Sequence, residues 1–146
     1  MPSANSLITL IRMSRRSEHL TLWVDRRLVL RPSPIHGVGT FALEPISAGE
    51  ALISMMGGLI YTDADRAAGK VELASALYNE ELLPDGERIA TPKSFHYYLN
   101  HSGAPNAVET STFATTTHYV ALRDIGAGEE ITVDYGPEGA NLGTSA

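Results

Sequence analysis

Apolar residues along the chain come in short runs, broken every few positions by glycine, proline or charged residues. Leu28-Val29-Leu30 reads as a strand closed by Pro32 and Pro34. Gly37-Val38-Gly39-Thr40-Phe41-Ala42-Leu43 reads as a turn feeding a second strand, and Ala51 to Tyr61 is apolar apart from Ser54. Gly57-Gly58 is expected to break or bulge that run. Thr62-Asp63-Ala64-Asp65 carries a helix-start signature, a capping hydroxyl with an acid three places on. The alanine-rich sequence behind it predicts one or two short helices as far as about Tyr78. Pro84-Asp85-Gly86 predicts a turn, and Ile89-Ala90-Thr91 a short strand. Tyr119-Val120-Ala121-Leu122 and Ile131-Thr132-Val133 predict the last two strands. Many short strands and few helices make a mostly β domain. Residues 1–20 show no clear periodicity, so residues 1–25 are expected to be a loosely ordered N-terminal extension and 26–146 the folded domain.

One self-similarity stands out. Ile46-Ser47-Ala48-Gly49-Glu50 and Ile125-Gly126-Ala127-Gly128-Glu129 share the pattern Ile-x-Ala-Gly-Glu, each followed by an apolar strand. A glycine in a positive-φ turn position accounts for both, and the pair is expected to form equivalent turns entering two strands.

The length of 146 residues allows one domain with one modest core, and 43% hydrophobic with 19% charged residues is a globular balance. No apolar run approaches the roughly 18 residues of a membrane span. No segment reads as a secretory signal. With no cysteine in the sequence, disulfides, thiolate zinc sites, iron–sulfur clusters and a cysteine nucleophile are excluded. These features fit a cytoplasmic protein. The net charge of −6 conceals an asymmetry: residues 1–31 hold six arginines against Glu18 and Asp25, whereas residues 32–146 hold five basic against fifteen acidic groups. Such an acidic body repels nucleic acid and attracts a basic, lysine-rich partner.

Three segments carry candidate chemistry. His36-Gly37-Val38-Gly39 lets a backbone approach a ligand, yet it lacks the third glycine and following helix of a dinucleotide fingerprint. Tyr97-Tyr98-Leu99-Asn100-His101-Ser102-Gly103-Ala104-Pro105-Asn106 places three adjacent hydrogen-bonding side chains behind two aromatics. A segment this polar either braces a loop crossing or holds a polar ligand, since each buried group needs a partner. A hydrolase using Ser102 and His101 is disfavoured, because Ser102 lacks the Gly-x-Ser-x-Gly elbow. Glu129-Glu130-Ile131-Thr132-Val133-Asp134-Tyr135-Gly136 is a strand ending in a tyrosine, either a packed side chain or a phenol that steers an amine or a methyl group. The five histidines show no paired ligand spacing, so no metal is expected.

In this order and at these separations the segments resemble the SET domain of protein lysine methyltransferases. Gly37 to Ala42 resembles the family's opening Gly-x-Gly motif, and Ile46 to Gly58 is similar to its second and third strands. Asn100-His101-Ser102 with Pro105-Asn106 matches the Asn-His-Ser-Cys-x-Pro-Asn signature, with Gly103 in the cysteine's place. Asp124-Ile125 through Gly136 matches the closing segment Asp-Ile-x-x-Gly-Glu-Glu-Leu-x-x-Asp-Tyr-Gly. The resemblance covers about residues 28–136.

It implies a β-clip-like fold of small, mainly antiparallel sheets, with one or two short helices and a C-terminal segment threaded beneath a loop as a pseudoknot. It also implies S-adenosyl-L-methionine as cofactor, resting against the backbone of His36, Gly37 and Val38 with Asn100 and His101 on its amino-acid and adenine portions. Tyr97 replaces an arginine common before the Asn-His pair and would touch the cofactor. Tyr135 would be the catalytic tyrosine beside the cofactor, with Tyr98 and Glu109 lining the lysine channel. The implied reaction is methyl transfer to a lysine amine of a basic protein, with neither nucleic acid nor membrane as partner. Only ten residues follow Gly136, none aromatic, so in place of the family's C-terminal lid either the segment around Trp23, the substrate or another chain is expected to close the lysine channel, or the site stays open. A homodimer would be one way to supply it. The alternative is a SET-like module that grips a basic segment without turnover.

Overall fold

The computed structural model describes residues 17–113 and 116–137. The elements run β1 (Ser17–Val24), β2 (Leu28–Pro32), β3 (Val38–Ala42), β4 (Ala51–Tyr61), α1 (Asp63–Ala67), β5 (Tyr78–Leu82) and β6 (Arg88–Pro92). A 3₁₀ turn at Phe95–Tyr98 leads into β7 (Asn100–His101), β8 (Ala107–Phe113), β9 (Thr116–Ala121) and β10 (Glu130–Val133). A mostly β, chiefly antiparallel protein with little helix is therefore what the sequence forms. Two compact units divide it, a larger one containing Leu22–Met55 and Ser94–Thr112 and a smaller one containing Met56–Lys93.

In the larger unit, β2, β3, β10 and β7 form a sheet in that order. The β2–β3 pair is an antiparallel hairpin in which Leu28 lies opposite Ala42 and Pro32 opposite Val38. Strand β10 pairs antiparallel with β3, Ile131 opposite Thr40, and parallel with β7, Thr132 opposite Asn100. The closing segment thus has a neighbour on both edges, as a threaded C-terminal strand requires. Buried Asn106 bonds to it as well, its amide donating to Glu130 O (2.7 Å) and its side-chain oxygen accepting from Thr132 N (2.9 Å). Leu28, Ala42, Ile46, Leu52, Ile53, Leu99, Ile125 and Ile131 belong to the core of this unit. Burial of such side chains stabilises by about 1.5–3 kcal/mol each, which is what fixes the strand faces. Elsewhere in the protein β9 lies between β4 and β8, and β1 pairs with β4.

The two Ile-x-Ala-Gly-Glu segments form the same turn. Ile46 and Ile125 bridge each other through N–H···O bonds of 2.9 and 2.8 Å. Gly49 and Gly128 have φ of +84° and +82°. Glu50 accepts from Ser47 N at 2.8 Å, and Glu129 from Gly126 N at 2.9 Å. An arginine completes each: Arg27 at 3.1 Å from Glu50, Arg123 at 2.5 Å from Glu129.

In the smaller unit, β5 and β6 pair antiparallel, and β6 pairs with the end of β4, Leu59 opposite Ala90. Ile60, Leu83 and Ile89 make its core cluster. Thr62 and Asp65 close the anticipated capping box around the start of α1. Tyr61 is buried; its hydroxyl donates to Glu80, and Arg66 donates to both of them.

Three features differ from the sequence expectations. Helix α1 is only five residues long, because the chain turns at Gly69, whose φ is +72°. Within β4, Gly57 and Gly58 take φ of +81° and +143°, the local distortion expected of the pair, and Gly58 also marks a close approach: a Cβ there would lie 2.8 Å from Ala90 O. Strands β5 and β8 had no sequence signal of their own. Residues 17–24 form β1 inside the expected extension, with Trp23 of that strand exposed.

Candidate active site

Everything predicted to touch cofactor or lysine lies in the larger unit. Its floor is the turn before β3, where Ser33 N donates to Gly37 O (2.8 Å) and Gly37 takes a φ of +45°. The Ser33 hydroxyl oxygen accepts Ile35 N at 2.9 Å and His36 N at 3.4 Å. A side chain added at Gly37 would meet nothing within 4 Å, so the backbone there is open to approach.

Asn100 joins this turn to β10. It is buried, and its amide nitrogen lies 3.0 Å from His36 O, 3.4 Å from Val38 O and 2.8 Å from Glu130 Oε1. Two amide hydrogens serve three acceptors, so the carbonyls of the turn are gathered around one side chain. The next residue, His101, accepts the Tyr135 backbone N–H at its Nδ1 (3.0 Å), and the two rings lie 5.3 Å apart at 44°. An Nδ1 that accepts carries no proton, so its 3.7 Å approach to Asp134 Oδ1 is not an ion pair. The Tyr135 hydroxyl donates to Leu99 O. Loss of solvent pushes the Tyr135 phenol above its ordinary pKa, and the charges of Glu130 and Tyr97 push the same way. The phenol is therefore neutral at physiological pH.

The structure brings His36, Gly37, Val38 and Asn100 together, and likewise His101 and Tyr135. Tyr97 is exposed and packs edge-on against Tyr98, ring centroids 5.3 Å apart. The 3₁₀ turn that carries them is pinned by the Thr40 hydroxyl, 3.3 Å from the carbonyls of Phe95 and Tyr98. Glu109 on β8 receives the Tyr119 hydroxyl at 3.4 Å. Ser102 accepts Ala104 N (3.1 Å) and so braces its own turn. No hydrogen bond joins Ser102 to His101 among the described residues, so the two do not form a nucleophile–base pair.

Sequence reasoning missed two residues here. The carboxylate of Glu130 takes the Ser33 hydroxyl (2.7 and 2.9 Å to its two oxygens) as well as the Asn100 amide. Only the position of Glu130 in the Glu129-Glu130 pair singled it out, and nothing in that pair separates the two roles. Ser33 gave no signal, since its partner is 97 residues away.

Carbonyl oxygens of His36, Val38 and Leu99, a phenol oxygen and aromatic rings make an acceptor-rich set. That chemistry fits a cofactor bearing a sulfonium and an ammonium group, and the open face at Gly37 leaves room for one. Comparison with known proteins points the same way. The family described as SET domain matches residues 37–136. Histone-lysine N-methyltransferase MEDEA of Arabidopsis thaliana is 28% identical over 143 residues, 91% of this chain and 20% of that protein. An H3 lysine-4 specific histone-lysine N-methyltransferase of Schizosaccharomyces pombe is 30% identical over 117 residues, 75% of this chain and 13% of that protein. A Plasmodium falciparum protein assigned as histone-lysine N-methyltransferase 1 is 33% identical over 119 residues, 75% of this chain and 2% of that protein. The chain thus spans a fifth or less of these relatives. The crystal structure of a Plasmodium falciparum protein assigned as a histone methyltransferase superposes with a TM-score of 0.53 at 19% identity, over 78% of this chain and 96% of that one. By its matched sequence, and with a fold to agree, the chain belongs to the SET domain family.

Proposed function

We propose that this protein transfers a methyl group from S-adenosyl-L-methionine to the side-chain amine of a lysine in a basic protein. The observation that carries the reading is Tyr135: a neutral phenol tied to Leu99 O and held beside His101, one residue from the Asn100 that gathers the turn carbonyls. When bound, the cofactor supplies an activated methyl on a sulfonium centre. His36, Gly37, Val38 and Asn100 would hold it, with His101 and Tyr97 at its border. The Tyr135 proton is committed to Leu99 O, so the phenol oxygen offers lone pairs and not a proton. Such an oxygen steers an amine and does not deprotonate it. A lysine amine has an ordinary pKa near 10.4, and arriving beside a cation favours its neutral form. What remains for the protein is alignment, which can supply most of the rate. The fifteen acidic groups after residue 31 suit a basic substrate, and the names of the relatives make histones the first to try.

A second reading, a non-catalytic grip on a basic segment, is favoured by the exposure of Tyr135 and Tyr97, 46% and 47%. An open site excludes water poorly. Calorimetric titration with S-adenosyl-L-methionine, then methyl transfer onto core histones and other lysine-rich proteins, separates the two. Tyr135→Phe is expected to cut transfer at least about 100-fold, the scale of one lost preorganised polar group, while cofactor affinity changes little. An alkaline absorbance titration should lose one phenol titrating above the ordinary range in the same variant. Cofactor binding with no transfer to any of these proteins would favour the second reading.

A further inference from the structure

A carboxylate lies against the backbone at the second glycine of the opening motif. A Cβ built on Gly39 would stand 2.1 Å from Glu130 Oε1 and 2.8 Å from its Cδ. The glycine is there because Glu130 occupies the space a side chain would need. From that place the carboxylate reaches two groups only a long excursion of the chain brings together, the Ser33 hydroxyl and the Asn100 amide. Ser33 in turn takes the amides of Ile35 and His36, and Asn100 takes the carbonyls of His36 and Val38. Both hydrogen-bond chains begin at one carboxylate and end on the two faces of the same turn.

We propose that Glu130 is the positioning residue of the cofactor turn, fixing through Ser33 and Asn100 the backbone of His36 to Val38 against which the cofactor binds. It rests on the cofactor reading above and adds to it a residue that touches neither cofactor nor substrate. The partners named for Glu130 are neutral donors, so its charge is left uncompensated by them beside the turn. Glutamine at this position keeps the shape, loses the charge and presents an amide to a partner that is itself a donor.

The test uses the full chain as wild type, Glu130→Gln and Ser33→Ala, with hydrogen exchange, calorimetry and steady-state kinetics. In Glu130→Gln, exchange at Ile35 and His36 is expected to rise about tenfold or more, the cost of a hydrogen bond to a charged group. Protection of the Leu52, Ile53 and Ile131 amides should be unchanged. The dissociation constant and KM for S-adenosyl-L-methionine should rise about 10- to 100-fold on the same basis, with a much smaller fall in kcat. Ser33→Ala, which leaves the carboxylate under Gly39, should reproduce the exchange effect with a weaker loss of affinity. Local exchange that stays at the wild-type level in both variants overturns the proposal. So does a loosened turn with unchanged cofactor affinity. If Glu130→Gln unfolds, Glu130→Asp, which keeps the charge but shortens its reach to Ser33 and Asn100, takes its place with the same outcomes. Should the wild type bind no cofactor, the proposed function fails, while exchange at Ile35 and His36 still reports whether Glu130 holds the turn.

Discussion

Neither ring nitrogen of His96 has a hydrogen-bond partner among the described residues, although both are shut off from solvent. A neutral imidazole carries one donor and one acceptor, and leaving a buried polar group unpaired costs about 1–3 kcal/mol. Burial accordingly holds the His96 pKa below its ordinary value. An unfolded histidine titrates near 6.5. Below that pH the unfolded chain takes up a proton that the folded chain refuses. This contribution to stability is therefore complete above about pH 6.5 and lost as the pH falls toward the folded-state value. His96→Leu removes both the orphaned nitrogens and the titration. Urea unfolding at pH 7.5 and pH 5 should show it more stable than wild type at the lower pH by about 1–3 kcal/mol, with a smaller gain at the higher. Parallel pH profiles for the two proteins would assign the acid sensitivity to another group.

The matched turns show which glycines carry conformation. Gly49 and Gly128 sit at φ of +84° and +82° with open space around the missing side chain, so an alanine there meets only the backbone penalty. Gly49→Ala and Gly128→Ala should each destabilise by about 1–2 kcal/mol. Gly103, where the family carries cysteine, has neither positive φ nor a neighbour within 4 Å of a Cβ. Gly103→Ala should stay within about 0.5 kcal/mol, and denaturant midpoints for the three variants check the contrast. These turns were legible in the sequence because their chemistry is local: the isoleucine that pairs, the glycine that turns and the glutamate that caps all fall within five residues. The site motifs were legible for the same reason, since Asn100, His101 and Tyr135 each lie in a compact signature. Strands β5 and β8 were not. Tyr78–Leu82 and Ala107–Phe113 are rich in Asn, Glu, Ser and Thr, and their extended form comes from the strands beside them. Glu129 and Glu130 give the sharpest case. They are adjacent in sequence, yet Glu129 turns to Arg123 and Gly126 while Glu130 turns to Ser33 and Asn100. Glu129 closes the turn and Glu130 opens β10, and only the tertiary fold says toward what each of them points.

At the scale of the whole molecule, acid acts on two kinds of group that salt can tell apart. Arginine beside Asp25, Asp63 and Glu129 holds each carboxyl below its ordinary pKa, and Glu50 is lowered first by the Ser47 amide and then by Arg27. Depressed carboxyls contribute stability that is full above about pH 4, the unfolded value, and is lost as the pH falls through their folded values. Acid should therefore destabilise the protein in two stages, one beginning near pH 6.5 from His96 and one near pH 4 from the carboxylates. The causes differ. The more exposed arginine pairs of Asp63 and Glu129 are screened by salt, whose Debye length falls to about 3 Å at 1 M, and the half-buried Asp25–Arg27 pair less so, whereas the cost of charging His96 is a desolvation inside the protein that salt does not reach. Stability measured from pH 8 to pH 3 at 0.1 M and 1 M sodium chloride should keep the upper step and shrink the lower one. Within the lower step Glu50 should resist best, because a backbone amide is the largest cause of its shift. An upper step that vanishes at 1 M salt would mean that surface charge, not the buried ring, sets the acid limit of the fold.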